Sequence, residues 1–372
     1  MPRRPADEGG ATGTASRTIA SFQIPYTRYL DPDGRPVADL PERHRDPAAL
    51  VPLYRAMTLA RTFDARAIAL QRTGRLGTYA SCLGEEAVGV GVASAMAPDD
   101  VLVPSYREQA AQLWRGVTPV ELLLYWSGDE RGSDFAGPRG DLPISITVGG
   151  HAPHAAGVAL GLKLSGGGRA AVCVVGDGAT SKGDFYEAVN AAGAMGLPLV
   201  VVVANNQWAI SLPRSRQSAA ETLAQKAIAG GIPGEQVDGN DVVAVADAAQ
   251  RALERARAGR GASLIEAVTY RLGDHTTVDD ARRYRDAAEV SRWWREEPLA
   301  RLRAYLSACG VWGKEDEEAL LAACRARVDA AAEEYLALPP EPPEAMFDHL
   351  FARLPAALAA QRRMAAEEAR GA

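Results

Sequence analysis

The 372-residue chain is poor in the residues that would tie it to a metal cluster, a membrane or a polyanion. Its four cysteines, Cys82, Cys173, Cys309 and Cys324, include no Cys-x-x-Cys pair. That scatter excludes a zinc ribbon and a disulfide framework, and predicts buried or inert reduced thiols in a cytoplasmic protein. Long apolar runs are missing too: "LPLVVVVA" (197–204) is strand-sized, against the roughly 20 residues of a membrane span. Positive charge is not in excess. The 41 Lys and Arg face 47 Asp and Glu, a net charge of −6, which argues against a general nucleic-acid binder. The N-terminus has no apolar h-region, and Arg3 and Arg4 are followed by Asp7, Glu8 and a Gly/Thr/Ser-rich stretch. A disordered arm over 1–20 is expected, rather than a signal or transit peptide.

What is present reads as a soluble globular chain, 47% apolar and 24% charged, long enough to bury a substantial core. After an irregular lead-in around "DPDGRP", the apolar spacing from Asp46 predicts one long helix ending near Gly74. "DDVLVPSYREQ" (99–109) reads as a short buried strand that delivers Tyr106 and Arg107 at its end. Residues 128–150 read as loop, and "HAPHAAGVALGLKLSGGG" as a small-residue helix closed by glycines. "AAVCVV", "PLVVVVAN" and "SLIEAVTYR" read as strands, the first two covered on both faces, with "DVVAVADAAQRALERARAG" as a helix. The expectation is an α/β fold with a doubly wound parallel sheet over 21–285, a helical region and tail over 286–372, and no internal repeat.

The stretch "GDGATSKGDFYEAVNAAGAMGLPLVVVVANNQW" (176–208) is a strand, turn, helix, strand, turn unit. It is not a P-loop, because Gly183 is followed by Asp184 where Lys is required; nor a dinucleotide fingerprint, whose third glycine would stand at Ser181. Asp177 falls at the carboxyl end of the first strand, where open α/β sheets bind ligands. A right-handed crossover brings Asn205 and Asn206 to the same edge. A carboxylate, an amide oxygen and a nearby main-chain carbonyl are hard donors that suit Mg²⁺ and leave room for phosphate oxygens. Gly176 and Gly178 are expected to give the backbone its sharp turn and close approach, with Asp177 an exposed strand-end carboxylate.

This stretch resembles the thiamine-diphosphate motif of the α subunits of 2-oxo acid dehydrogenase E1 components. "LGEEAVGVG" (83–91), "YRE" (106–108), "QKAIAGGIPGEQVDGNDVVAV" (225–245) and "TYRLGDHTTVDDARRYR" (269–285) agree, so the resemblance covers roughly 21–365. It implies a thiamine-diphosphate-binding fold with Asp177, Asn206 and the Trp208 carbonyl as Mg²⁺ ligands. It further implies diphosphate contacts from Gly178, Ala179, Tyr106 and Arg107, and backbone at Ile146 and Val148 facing the aminopyrimidine. His275 matches a loop histidine that closes over cofactor and substrate. The implied reaction is oxidative decarboxylation of a 2-oxo acid, pyruvate being favoured over 3-methyl-2-oxobutanoate, with acyl transfer to the lipoyl domain of E2. The glutamate that activates the cofactor is expected from an E1 β subunit in an α₂β₂ heterotetramer; a non-catalytic cofactor-binding subunit is the alternative. His44 and His349 are expected at the solvated surface, and His151 and His154 to pack, cap or touch the cofactor. Tyr284 and Arg285 are candidates for ordering the His275 loop. Lys182 stands where the family usually has Gln or Glu, and Thr276 where animal enzymes carry a regulatory serine, so kinase control is not expected.

Overall fold

A computed structural model describes residues 18–371, so most of the arm expected over 1–20 lies outside the described residues. Strand β1 (Tyr26–Thr27) is followed by helices α1 (Val51–Arg72) and α2 (Glu86–Ala95), strand β2 (Val101–Val103), and helices α3 (Gln109–Arg115), α4 (Pro119–Ser127) and α5 (His151–Ser165). Strand β3 (Ala171–Gly176), helix α6 (Gly183–Ala194) and strand β4 (Leu199–Asn205) form the unit read from the motif. A small hairpin of β5 (Trp208–Ala209) and β6 (Leu212–Pro213) precedes short helices α7 (Arg214–Gln217) and α8 (Lys226–Ala229). Strand β7 (Gly234–Asp238), helix α9 (Val242–Arg257) and strand β8 (Ser263–Val268) complete the sheet. Helices α10 (Ala287–Trp294), α11 (Pro298–Ala308), α12 (Lys314–Ala337) and α13 (Ala356–Gly371) follow.

Six strands form one parallel sheet in the order β1-β7-β8-β4-β3-β2, with Gly176 beside Ala204 where β3 and β4 end. Side chains alternate between the faces of a strand. Val172, Val174, Val200 and Val202 accordingly pack with α2 and α9, while Cys173, Val175, Val201 and Val203 pack with α5 and α6. Both faces are covered, which is why the strands read as unbroken apolar runs. Each fully buried valine here contributes about 1.5–3 kcal/mol, and a charge at Val202 would break the layer. The helix expected from Asp46 begins instead at Val51: the Asp46 carboxylate accepts from Ala48 N at 2.9 Å and caps a 3-10 turn over Pro47–Leu50.

Residues 299–332 of α11 and α12 share one buried cluster with α1, Leu302 and Val328 joining Met57 and Phe63. Two surface expectations are corrected. His44 is buried, which lowers its pKa to about 4, and Asp177 is only 3% exposed. All four thiols are free, three of them buried and Cys309 exposed. His349 is exposed as expected. Among the described residues no helix is long and apolar enough to cross a membrane.

Candidate functional site

A cavity of about 190 Å³ opens at the carboxyl ends of β2, β3 and β4. Tyr106 and Arg107 reach it from the segment after β2, Asp177, Gly178 and Ala179 from the turn after β3, and Asn206 and Trp208 from the segment after β4. Val148 and His275 close the ring from two loops. Ile146 is 54% exposed and does not line the cavity. A larger groove of about 470 Å³, between α4 and residues 335–346, carries none of the expected site residues.

The turn after β3 is a 3-10 turn over Asp177–Ser181, braced from behind. Thr180 Oγ1 donates to the Asp177 carbonyl at 2.7 Å, and the buried Lys226 ammonium donates to Thr180 O at 2.6 Å and to Thr180 Oγ1 at 2.9 Å. Neither Gly176 nor Gly178 has a positive φ, so Gly178 is needed for close approach: a Cβ there would meet the Ala209 Cβ at 2.7 Å. The Asp177 carboxylate accepts from the Gln217 amide at 3.0 Å, and among the described residues no cation pairs with it. Burial pushes its pKa up to about 6, against the Gln217 hydrogen bond.

The two asparagines separate as neighbouring residues at a strand end should. Asn205 turns into the protein, its Nδ2 donating to the buried Glu266 at 2.6 Å, whereas Asn206 lines the cavity. Beyond them Gln207 and Ile210 hold φ of 73° and 55°, left-handed values that strain a β-branched isoleucine. The buried Arg271 guanidinium spans this segment, donating to Trp208 O at 3.3 Å, Ile210 O at 2.8 Å and Tyr284 Oη at 2.8 Å.

On the opposite wall Arg107 is 7% exposed. It donates to Ser81 O at 2.6 Å and to His275 O at 2.6 Å, and its Nη2 lies 2.9 Å from His275 Nδ1. A guanidinium has no acceptor, so Nδ1 must accept and the ring proton sits on Nε2. Burial, then Arg107 and Arg271, lower the His275 pKa to about 4, which keeps the ring neutral. The loop that carries it is tied down by the candidates named from sequence. Tyr284 and His275 N both donate to Asp279, and Arg285 donates to the carbonyls of Arg271 and Gly273. His151 lines the cavity, with Nε2 2.8 Å from Val174 O, while His154 only returns to Gly150 O at its own helix start.

Sequence reasoning missed two acids. Glu85 and Glu108 line the cavity, 5% exposed each, and burial first of all pushes them up to about 7 and about 8. Both lay inside stretches that carried the resemblance, and a glutamate at the edge of an apolar helix, as in "GEEAVGVGV", was the available signal. Arg271, Ser105, Gly149, Ala209 and Ile210 were not singled out either.

Among the described residues no group of three or more His, Cys, Asp or Glu side chains is placed to hold a metal ion, so any cation here rests on a mixed donor set. A buried carboxylate lacking a cation, an amide and strained backbone at one sheet edge, faced by a neutral histidine on an arginine, is chemistry for a charged, metal-bridged ligand. The model of the dehydrogenase E1 component family matches residues 54–344. The chain belongs to that family. It is 39% identical over 356 residues to the 3-methyl-2-oxobutanoate dehydrogenase subunit alpha of Mycobacterium tuberculosis, covering 95% of this chain and 97% of the relative. It is 38% identical over 352 residues to the pyruvate dehydrogenase E1 component subunit alpha of Staphylococcus epidermidis, covering 94% and 95%. The Staphylococcus aureus protein of that name is 43% identical over 286 residues, 77% of each chain. Within the E1 component family match lie Tyr106, Arg107, Asp177, Asn206 and His275.

Proposed function

We propose that the chain is the α subunit of a thiamine-diphosphate-dependent E1 component that oxidatively decarboxylates pyruvate and passes the acyl group to the lipoyl domain of an E2. The observation that carries this reading is the meeting of Asp177, Asn206, Arg107 and His275 around one cavity. The residues fit the cofactor's metal: Asp177 is a buried carboxylate with only an amide on its side chain, and Asn206 and Trp208 add an amide oxygen and a carbonyl beside it. These three would hold Mg²⁺. Gly178 and Ala179 would present backbone N–H groups to the diphosphate, where a side chain on Gly178 has no room. Tyr106 and Arg107 would contact it from the other wall, and Val148 would offer backbone to the aminopyrimidine, with Ile146 next to it in the loop.

When bound, thiamine diphosphate supplies the electron sink for decarboxylation. This chain orients and polarises. Neutral His275 keeps a proton on Nε2, a donor for a substrate carboxylate or carbonyl oxygen, and burial, aided by the Arg107 and Arg271 guanidiniums, holds its pKa low so that the ring carries one proton rather than two. Val148 and Ile210 line the cavity yet leave 44% and 56% of their surfaces exposed. Such an apolar rim suits coverage by an E1 β subunit, which would exclude water and bring the activating glutamate. The reducing compartment inferred from the scattered free thiols is the cytoplasm.

Branched-chain acids are the second reading, favoured by the Mycobacterium tuberculosis relative. The test is dye reduction by the chain purified with its β partner, on pyruvate and on 3-methyl-2-oxobutanoate, with and without thiamine diphosphate and Mg²⁺. Cofactor-dependent turnover with the higher kcat/KM on pyruvate is expected. A higher value on the branched acid moves the assignment to that substrate, and no turnover by a well-folded tetramer overturns it.

A further inference from the structure

Glu85 stands directly before α2 and is 5% exposed, yet its carboxylate does not cap that helix. It points instead across the sheet end. Glu85 Oε1 accepts from Asn206 Nδ2 at 2.8 Å and lies 3.9 Å from Arg107 Nε. Burying a carboxylate is costly unless hydrogen bonds or charge compensate, so a position this closed calls for a reason.

The backbone around it is held rigidly. Gly84 has φ of +97°, and a Cβ there would lie 2.1 Å from Tyr270 O. Thr269 Oγ1 donates to Gly84 O at 2.5 Å, and Gly84 N donates to Glu86, itself paired with Arg61 at 2.8 Å. Asn206 depends on this support. Its amide could face either way, with oxygen and nitrogen exchanged, and only the correct orientation leaves an oxygen lone pair for the cavity. The Glu85 acceptor on Nδ2 and the Trp208 N–H on Oδ1, at 3.1 Å, select the same orientation.

Resting on the functional reading above, we propose that Glu85 is a positioning residue: it fixes the Asn206 amide with Oδ1 toward the metal and ties that side of the cavity to Arg107. It touches neither metal nor substrate. Its acceptor, more than its charge, does the work.

The experiment measures Mn²⁺ affinity of the α and β complex with thiamine diphosphate, by the electron paramagnetic resonance signal of free Mn²⁺, for wild type and three variants. Glu85→Leu keeps the bulk and removes the acceptor, and should weaken Mn²⁺ binding by about tenfold or more, the loss typical of a removed supporting partner. Glu85→Gln keeps an acceptor and loses the charge, and should stay within about threefold of wild type. Glu85→Asp keeps the charge but draws the acceptor back by one methylene, and should bind worse than Glu85→Gln. A folded Glu85→Leu complex with wild-type affinity overturns the proposal. So does Glu85→Asp binding better than Glu85→Gln, a comparison that decides even if the leucine variant does not fold. Wild type that shows no cofactor-dependent Mn²⁺ binding overturns the functional reading itself, a result distinct from equal binding by wild type and Glu85→Leu.

Discussion

At the ends of β3 and β4, Asp177 and Asn206 are placed by the sheet register and by near neighbours, chiefly amides, a lysine brace and the Glu85 carboxylate, whereas across the cavity His275 rides on a loop fastened by Arg107, Asp279 and Arg285. The sheet side has fixed geometry and an uncompensated buried charge. The loop side has its charges in contact and its geometry set by side chains. The first suits a site that waits for a cation, and the second a segment that orders around a substrate. If this division is real, the two sides should fail separately and in different ways.

The largest separation should come from Asp177→Asn. The folded protein raises this carboxyl from its ordinary 3.8 to about 6 by burial, so below 3.8 its contribution is fully favourable, and it is lost as pH rises through 6. At pH 7.5 the metal-free chain therefore carries a destabilisation on the order of 3 kcal/mol that the neutral amide removes. The expected result is a higher melting temperature for the metal-free variant, together with a loss of more than about 100-fold in Mg²⁺-dependent thiamine diphosphate affinity by calorimetry. Unchanged cofactor affinity would remove Asp177 from the site and end the comparison.

His275→Gln tests the other wall. Turnover should fall by about 100-fold, the lower range for losing a positioned proton donor, while Mn²⁺ affinity stays within about threefold. The sign of its pH effect is opposite to that of Asp177. A histidine lowered from 6.5 to about 4 contributes stability that is full above 6.5 and lost as pH falls through 4. The urea midpoint of wild type should thus decline more steeply between pH 6.5 and 4 than that of the variant. Equal declines would mean that burial and the neighbouring Arg107 and Arg271 do not hold the ring neutral.

The same division explains what the sequence made legible. Asp177 and Asn206 could be placed because a crossover of this length puts both at one sheet edge, where Asn205 was expected too, although it turns inward to Glu266. Their burial could not, because it depends on Gln217, Trp208 and the hairpin folding over them. Glu85 and Glu108 look in sequence like ordinary helix-edge acids; they become cavity residues only because the fold brings the start of α2 and the segment after β2 to the ends of β3 and β4. β1 was missed since it pairs two residues only, Tyr26 and Thr27 with Gln236 and Val237, too few for any alternation to register. His44 misled for the opposite reason, since charged neighbours in "PERHRDP" suggest solvent although the ring itself is buried.

The smallest effect is the most informative about where the two walls meet. Ile210 lies beside Trp208 on the sheet side but is held by Arg271, which also reaches Tyr284 on the loop side. It keeps a left-handed φ of 55° while 56% of its side chain stays exposed, so packing does not compensate the strain. A β-branched residue there costs about 1–2 kcal/mol, and asparagine tolerates that conformation without the added unfolded-state freedom of glycine. Ile210→Asn should therefore raise the stability of the chain by about 1 kcal/mol in urea melts, with little loss of buried area. If the strained isoleucine exists to present an apolar surface at the cavity mouth, the stabilised variant should also bind the β subunit or turn over pyruvate less well. A variant that is more stable and fully active would show that the strain serves only the Arg271 contact, and that the two walls are joined through the backbone carbonyl alone.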